Sequence, residues 1–193
     1  MFKRYTIDEV IIKELSETHK NILPNFCSFQ EDLKEYLIDN ALMHQLGLLS
    51  RTFLWFEKDS NKLMGYITIC NDSIRLSNIK RSLQKKLRYK GVPYSSLPAL
   101  KIARICADDN FRRRGLGTLM MQFCLKISLE ITKKSGCRFI TLDSKHHKES
   151  DKDPRLFYKE KWGFIEMKIS EEEKAKRENT TPMYLDLINF VRD

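Results

Sequence analysis

The stretch that most restricts the fold of this chain runs from Ala99 to Ile131. "ALKIARICA", an apolar run of strand length, passes directly into "DDNFRRRGLG". From Gly115 the apolar residues Leu116, Leu119, Met120, Phe123, Ile127 and Ile131 recur every three or four positions, which predicts a helix of about five turns. A strand that enters a helix through a glycine-bearing loop creates an anion site. The first N–H groups of the helix point outward, its dipole places about half a positive charge there, and glycine lets a ligand approach the backbone. Arginines on such a loop add charge-assisted bonds. "NFRRRGLG" is therefore a candidate phosphate loop, although three adjacent arginines also suit a nucleic-acid patch.

Two common phosphate motifs are excluded on residues. There is no Gly-x-x-x-x-Gly-Lys-[Ser/Thr], and the dinucleotide fingerprint needs a third glycine where "GLGTLM" has Met120. The charge distribution separates the remaining readings. The net charge is +9, and the 35 residues between Asp72 and Asp108 carry nine basic residues and no acid. The other 26 basic residues are matched by 26 acids, so the whole excess sits in that segment. It is either a solvated face or the footprint of a polyanion, bound with strong salt dependence.

The length of 193 residues, with 41% apolar residues and no repeat or linker, predicts one domain. No apolar run approaches the roughly 20 residues of a membrane span, and "MFKRYTIDEV" lacks the core of a secretion signal. The expectation is a cytosolic protein with no membrane partner. The five cysteines are scattered without a C-x-x-C pair, so they read as reduced and mostly buried, Cys106 among them as an apolar filler rather than a nucleophile.

Along the chain, "RYTIDEVIIKEL" reads as a weak strand. "SFQEDLKEYLIDNALMHQLGLL" reads as a helix opened by a capping box of Ser28 and Glu31. "TFLWFE" and "KLMGYITIC" form a hairpin over Thr52 to Cys70, "IKRSLQKKLRY" a short helix and "CRFITLDS" a strand. "DPRLFYKEKWGF" starts a helix on proline and stops it at Gly163. "FIEMKI" and "PMYLDLI" are closing strands around a charged loop, "SEEEKAKREN". The class is mixed α/β.

Arg112, Gly115 and Gly117 fit Arg-x-x-Gly-x-Gly, and "RICADDNFRRRGLGTLMM" followed by "DPRLFYKEKWGFIEM" resembles the core strand, loop and helix and the later "FY...GF" segment of the GNAT acetyltransferases. That resemblance covers Ala99 to Met167. "FCSFQEDLKEYLIDNALMHQ", "GYITICNDSI", "SLPALKIARICADD" and "TTPMYLDL" further resemble the toxin-type branch, whose members acetylate aminoacyl-tRNA. The resemblance implies a mostly antiparallel mixed sheet with helices on both faces, and acetyl-CoA as cosubstrate. It also implies main-chain groups of Ile105, Cys106 and Ala107 along the pantetheine arm. The pyrophosphate would be held by Arg112, Arg113, Arg114, Gly115, Leu116, Gly117 and Thr118, with Asp151 nearby where the family often has asparagine.

Tyr158 takes the place of the family's tyrosine, the acid that protonates the departing thiolate. The family usually has three residues between it and Gly-Phe. Here there are four, Lys159, Glu160, Lys161 and Trp162, so the extra residue either bulges at the helix end or turns Tyr158 away.

No general base stands out, and the paired His146 and His147 read as solvated loop residues. An α-amine, with a pKa near 8, needs no such base, whereas a lysine near 10.4 does. An α-amine is therefore the easier fit, and the toxin-type resemblance implies the α-amine of aminoacyl-tRNA as acceptor, with Lys80, Arg81, Lys85, Lys86, Arg88 and Lys90 on the tRNA backbone and a small antitoxin as protein partner. Acetylation of a protein or small-molecule amine, and a non-catalytic RNA- or protein-binding module of the same fold, remain as alternatives. Pairing of the chain with itself is left open.

Overall fold

A computed structural model of the chain describes residues 4–145, 153–177 and 179–191. By their contacts the residues divide into two compact units, Met1–Cys70 with Ile102–Ile127 and Asn71–Lys101 with Ser128–Asp193.

In the first unit, β-branched and aromatic residues build β1 (Val10–Glu14), β2 (Arg51–Glu57) and the start of β3 (Leu63–Arg75). β1 and β2 pair antiparallel with Ile12 opposite Trp55, and β2 and β3 pair antiparallel with Leu54 opposite Tyr66. The β2–β3 turn closes through Asn61, a residue that tolerates its left-handed φ of 53° and donates its N–H to the Glu57 carbonyl at 2.8 Å.

Strand period 2 sends alternate residues of β2 to opposite faces. Leu54 and Phe56 join Leu33, Leu37 and Ala41 of a helical stretch made of α1 (Glu31–Glu35), a π-turn (Tyr36–Asn40) and α2 (Ala41–Leu46). On the other face, Phe53 and Trp55 meet Phe123 of α4 (Leu116–Lys134) edge-on, with ring centroids 4.9 and 5.6 Å apart. The unit thus carries helices on both faces of its strands. The expected capping box does not form: the helix starts at Glu31, and Ser28, three residues before it, accepts the Gln30 N–H at 3.1 Å to close a tight turn.

The second unit holds α3 (Arg81–Tyr89), β5 (Phe139–Lys145), α5 (Pro154–Leu156), β6 (Ile165–Glu166), α6 (Glu171–Lys176) and β7 (Thr180–Asp186). Its core joins Leu87 of α3 to Ile74, Ile79, Phe139 and Tyr184. Burial lets the Tyr184 hydroxyl serve as an acceptor for the Lys80 N–H at 3.0 Å, fixing the start of the basic helix.

Four expectations are corrected. β3 runs on to Arg75, five residues past the predicted hairpin end. β4 (Ser96–Ala107) begins three residues early and admits Pro98 near its start, where a missing N–H is tolerated. β6 keeps only two paired residues. The charged loop contains α6, capped by Ser170, which accepts the Glu173 N–H at 3.1 Å, with three glutamates in its first turn and lysines in its last.

Seven strands follow the order β1-β2-β3-β4-β5-β7-β6. β7 enters between β5 and β6, antiparallel to both. β3 and β4 each run through both units. Among the described residues, no helix is long and apolar enough to cross a membrane.

Candidate active site

At the end of β4 the N–H of Asp108 donates to the Met64 carbonyl at 2.8 Å. The Asp108 carboxylate is 3% exposed and accepts the N–H of Cys27 at 2.8 Å and both the main-chain and side-chain N–H of Asn110 at 2.9 Å. The carbonyl of Cys27 in turn accepts the Asp109 N–H at 3.0 Å. A buried carboxylate thus ties the segment before α1 to the loop. Cys27 is itself exposed, unlike the buried Cys106, Cys124 and Cys137.

Beyond Phe111, which is buried, the chain reverses through two left-handed residues, Arg113 at φ 60° and Gly115 at φ 88°. Gly115 caps α4, and its carbonyl accepts from Thr118 at 2.9 Å and Leu119 at 3.3 Å. The Thr118 N–H is therefore engaged within the first turn. Those of Leu116 and Gly117 have no carbonyl one turn back, and they stand at the positive end of a 19-residue helix.

The three arginines do different things. Arg112 stacks over Phe29 at 4.1 Å and pairs with Asp109 at 3.4 Å. Arg113 is exposed and has no polar or ionic side-chain partner among the described residues. Arg114 is half-buried and turned toward Tyr5, whose hydroxyl lies 3.5 Å from its Nη1.

The Ile105–Ala107 segment is held tightly. A Cβ on Gly65 of β3 would lie 2.6 Å from the Cys106 carbonyl oxygen and 2.6 Å from Met120 Cε, so only glycine allows strand and helix to approach this closely. The Cys106 thiol is buried, 3.4 Å from the Ser28 hydroxyl, and burial pushes its pKa up to about 11. It is a protonated filler, as its apolar setting implied.

In the second unit Asp153 caps α5 by accepting the Arg155 N–H at 2.9 Å, with Pro154 in the first turn. Four residues before Gly163 are accommodated by a π-turn, Phe157–Lys161. The Phe164 N–H reaches the Tyr158 carbonyl at 3.1 Å and the Gly163 N–H reaches Lys159 at 3.0 Å, each span one residue longer than in an ordinary Schellman closure. Gly163 supplies the left-handed φ of 76° that ends the helix.

Tyr158 is buried between Phe157 and Phe164, with centroids 5.2 and 5.7 Å away. Its hydroxyl makes no hydrogen bond among the described residues, and burial alone pushes its pKa up to about 12. His146, His147 and Asp151 lie outside the described residues.

Lys80, Arg81, Lys85, Lys86, Arg88 and Lys90 are all exposed on and around α3, and none forms an ion pair among the described residues. Tyr89 and Tyr94 stand among them, 94% and 66% exposed. The other basic residues of the acid-free segment are engaged: Lys101 with Asp143 at 2.8 Å, Arg75 with Glu173 at 4.0 Å and Arg104 over Tyr36 at 4.9 Å. No cluster of His, Cys, Asp and Glu suited to a metal ion occurs among the described residues.

Asp108 and Gly65 lie within the family-like stretches "RICADDNFRRRGLGTLMM" and "GYITICNDSI", yet the sequence alone gives neither of them, nor Tyr5, a role. The only local sign is Asp108 as the first acid after the basic segment.

The Acetyltransferase (GNAT) family matches residues 16–164. Among solved structures, a tyrosine-to-phenylalanine mutant of KacT is 17% identical with a TM-score of 0.74, covering 94% of this chain and 96% of that one. AtaT complexed with acetyl-methionyl-tRNAfMet is 16% identical with a TM-score of 0.72, again covering 94% and 96%. An AtaT mutant bound to acetyl-CoA and the C-terminus of the antitoxin AtaR is 15% identical with a TM-score of 0.65, covering 96% and 100%. At these identities the likeness is one of fold. The family match fixes the class: the chain belongs to the GNAT acetyltransferase family, whose members take their acetyl group from acetyl-CoA.

Proposed function

We propose that this enzyme, working in the cytosol as one acetyltransferase domain, transfers the acetyl group of acetyl-CoA to the α-amine of an aminoacyl-tRNA. The observation that carries the acceptor is the set of six exposed, unpaired cations around α3, interleaved with the exposed Tyr89 and Tyr94. Lysines and arginines without acidic partners suit a phosphate backbone, and exposed tyrosines suit unpaired bases. The likeness to AtaT complexed with acetyl-methionyl-tRNAfMet supports the same acceptor, and the likeness to AtaT bound to AtaR supports a small antitoxin as partner.

In this reading the N–H groups of Leu116 and Gly117, with Arg112 and Arg113, receive the pyrophosphate. Main-chain groups of Ile105 to Ala107 line the pantetheine. The neutral amine attacks the thioester carbonyl, the C–N bond forms, and the C–S bond of the tetrahedral intermediate breaks. The amine's proton leaves to water and Tyr158 protonates the thiolate. A phenol held neutral by burial has a proton to give at any cellular pH.

The test is incubation of the enzyme and radiolabelled acetyl-CoA with charged tRNA, uncharged tRNA and a protein extract. Label is expected on charged tRNA alone, in alkali-labile form. Label confined to protein or small amines overturns the acceptor.

A further inference from the structure

Arg114 sits in the phosphate loop, yet its surroundings are wrong for a phosphate ligand. It borders a hollow of about 230 Å³ lined by Tyr5, Glu9, Glu57, Asp59 and Arg114. Three carboxylates line the same hollow as the guanidinium, and they would repel a pyrophosphate brought there. Its partners are specific. The Tyr5 hydroxyl accepts from Arg114 Nη1 at 3.5 Å and donates to Glu57 Oε1 at 2.5 Å, while Ser60 donates to the other Glu57 oxygen at 2.5 Å. The Tyr5 backbone N–H also donates to the Arg114 carbonyl at 2.8 Å. Residue 114 is therefore held at both its main chain and its side chain by one residue 109 positions away.

The position of this clamp explains its use. Arg114 lies between the two left-handed residues, Arg113 at φ 60° and Gly115 at φ 88°. Gly115 adopts its conformation freely, but the left-handed backbone of Arg113 persists only where neighbouring structure over-determines it. The N–H groups of Leu116 and Gly117 emerge directly after this reversal, so any relaxation of it re-aims them.

We propose that Arg114 binds no phosphate and instead acts, with Tyr5 and Glu57, as a positioning residue that holds the loop in its pyrophosphate-receiving shape. The proposal rests on the reading of this loop as the pyrophosphate site. Ionisation favours the same state: hydrogen bonds from Ser60 and Tyr5 hold the Glu57 carboxyl below its usual range, and burial pushes the Tyr5 phenol up, so the pair remains carboxylate and phenol near neutral pH.

The experiment compares acetyl-CoA with acetyl-pantetheine, which lacks the pyrophosphate, on Tyr5→Phe, Glu57→Gln, Arg114→Ala and the double variant Glu57→Gln/Arg114→Ala. Each single variant is expected to raise KM for acetyl-CoA roughly tenfold, the scale of one charged hydrogen bond. The double variant should be little worse than either single one. Turnover at saturating acetyl-CoA, and all kinetics with acetyl-pantetheine, should stay at the wild-type level. A loss of acetyl-CoA affinity in Arg114→Ala that Tyr5→Phe and Glu57→Gln do not share overturns the proposal and makes Arg114 a direct ligand. Equal losses with both donors overturn it as well, since the damage is then general. A wild-type enzyme that uses the two donors equally well removes the site reading, and this proposal with it.

Discussion

The backbone N–H of Cys27 donates to the Asp108 carboxylate at 2.8 Å across 81 residues of sequence, while the Cys27 carbonyl accepts from Asp109 at 3.0 Å. This two-way clasp fixes where β4 ends and the arginine-rich loop before α4 begins. Replacing Asp108 by Ala strands buried donors and should cost about 2–3 kcal/mol of stability in chemical denaturation. Asp108→Asn keeps one acceptor oxygen but turns an amide toward a donor, and should lose roughly half as much on the same reasoning.

Gly65→Ala tests the close approach behind the Cys106 carbonyl. Met120 can swing aside, but a carbonyl 2.6 Å from the new methyl cannot move without shifting the strand. A loss of about 2 kcal/mol is expected, read as a lowered denaturation midpoint. Gly91→Ala meets open space and bears only the strain of its φ of 73°, so it should lose about 1 kcal/mol.

Tyr158→Phe removes a hydroxyl that bonds to nothing among the described residues, so stability should be unchanged. If the phenol is the acid, kcat falls by about 10²-fold or more with KM for acetyl-CoA intact. Single-turnover rates that match the wild type would remove Tyr158 from the chemistry.

Alkaline pH should weaken the fold through Cys106. Burial raises its pKa from 9.0 in an exposed thiol to about 11 in the folded chain. The folded state therefore holds this proton more tightly than the unfolded state. The stability it contributes is complete below pH 9 and is lost as pH rises toward about 11, with a slope of up to about 1.4 kcal/mol per pH unit. Urea midpoints from pH 8 to 11 measure this, and Cys106→Ala should flatten the profile.

Neutralising Lys85, Lys86 and Arg88 together should weaken charged-tRNA binding. The slope of log affinity against log salt should fall by roughly one for each phosphate deprived of its cation. These side chains are exposed and unpaired, so the unfolding midpoint and KM for acetyl-CoA should hold. An unchanged salt slope would count against the polyanion surface.

What is legible in the sequence follows local rules. The β4–loop–α4 core shows itself because an apolar run of strand length, glycine and period 3.6 follow one another within 35 residues. The helix α6 escapes such reading because its exposed face has no apolar periodicity, leaving only the serine cap and the glutamate-to-lysine polarity as signs. Tyr5 with Arg114 and Cys27 with Asp108 are long-range pairs, and nothing in the local sequence of either partner points to the other. The arginine triplet reads as three equivalent charges along the chain; burial and partners separate them into one stacked, one exposed and one turned inward.

The widened turn after Tyr158 bears on how such chains diverge. Because Phe164 still grips the tyrosine's carbonyl across the longer span, an added residue is taken up locally instead of being passed along the helix. Gain or loss of a codon between positions 159 and 162 is thus a step a lineage can take without surrendering the hold on its tyrosine. In an alignment of relatives the gap belongs there, and not on either side of it.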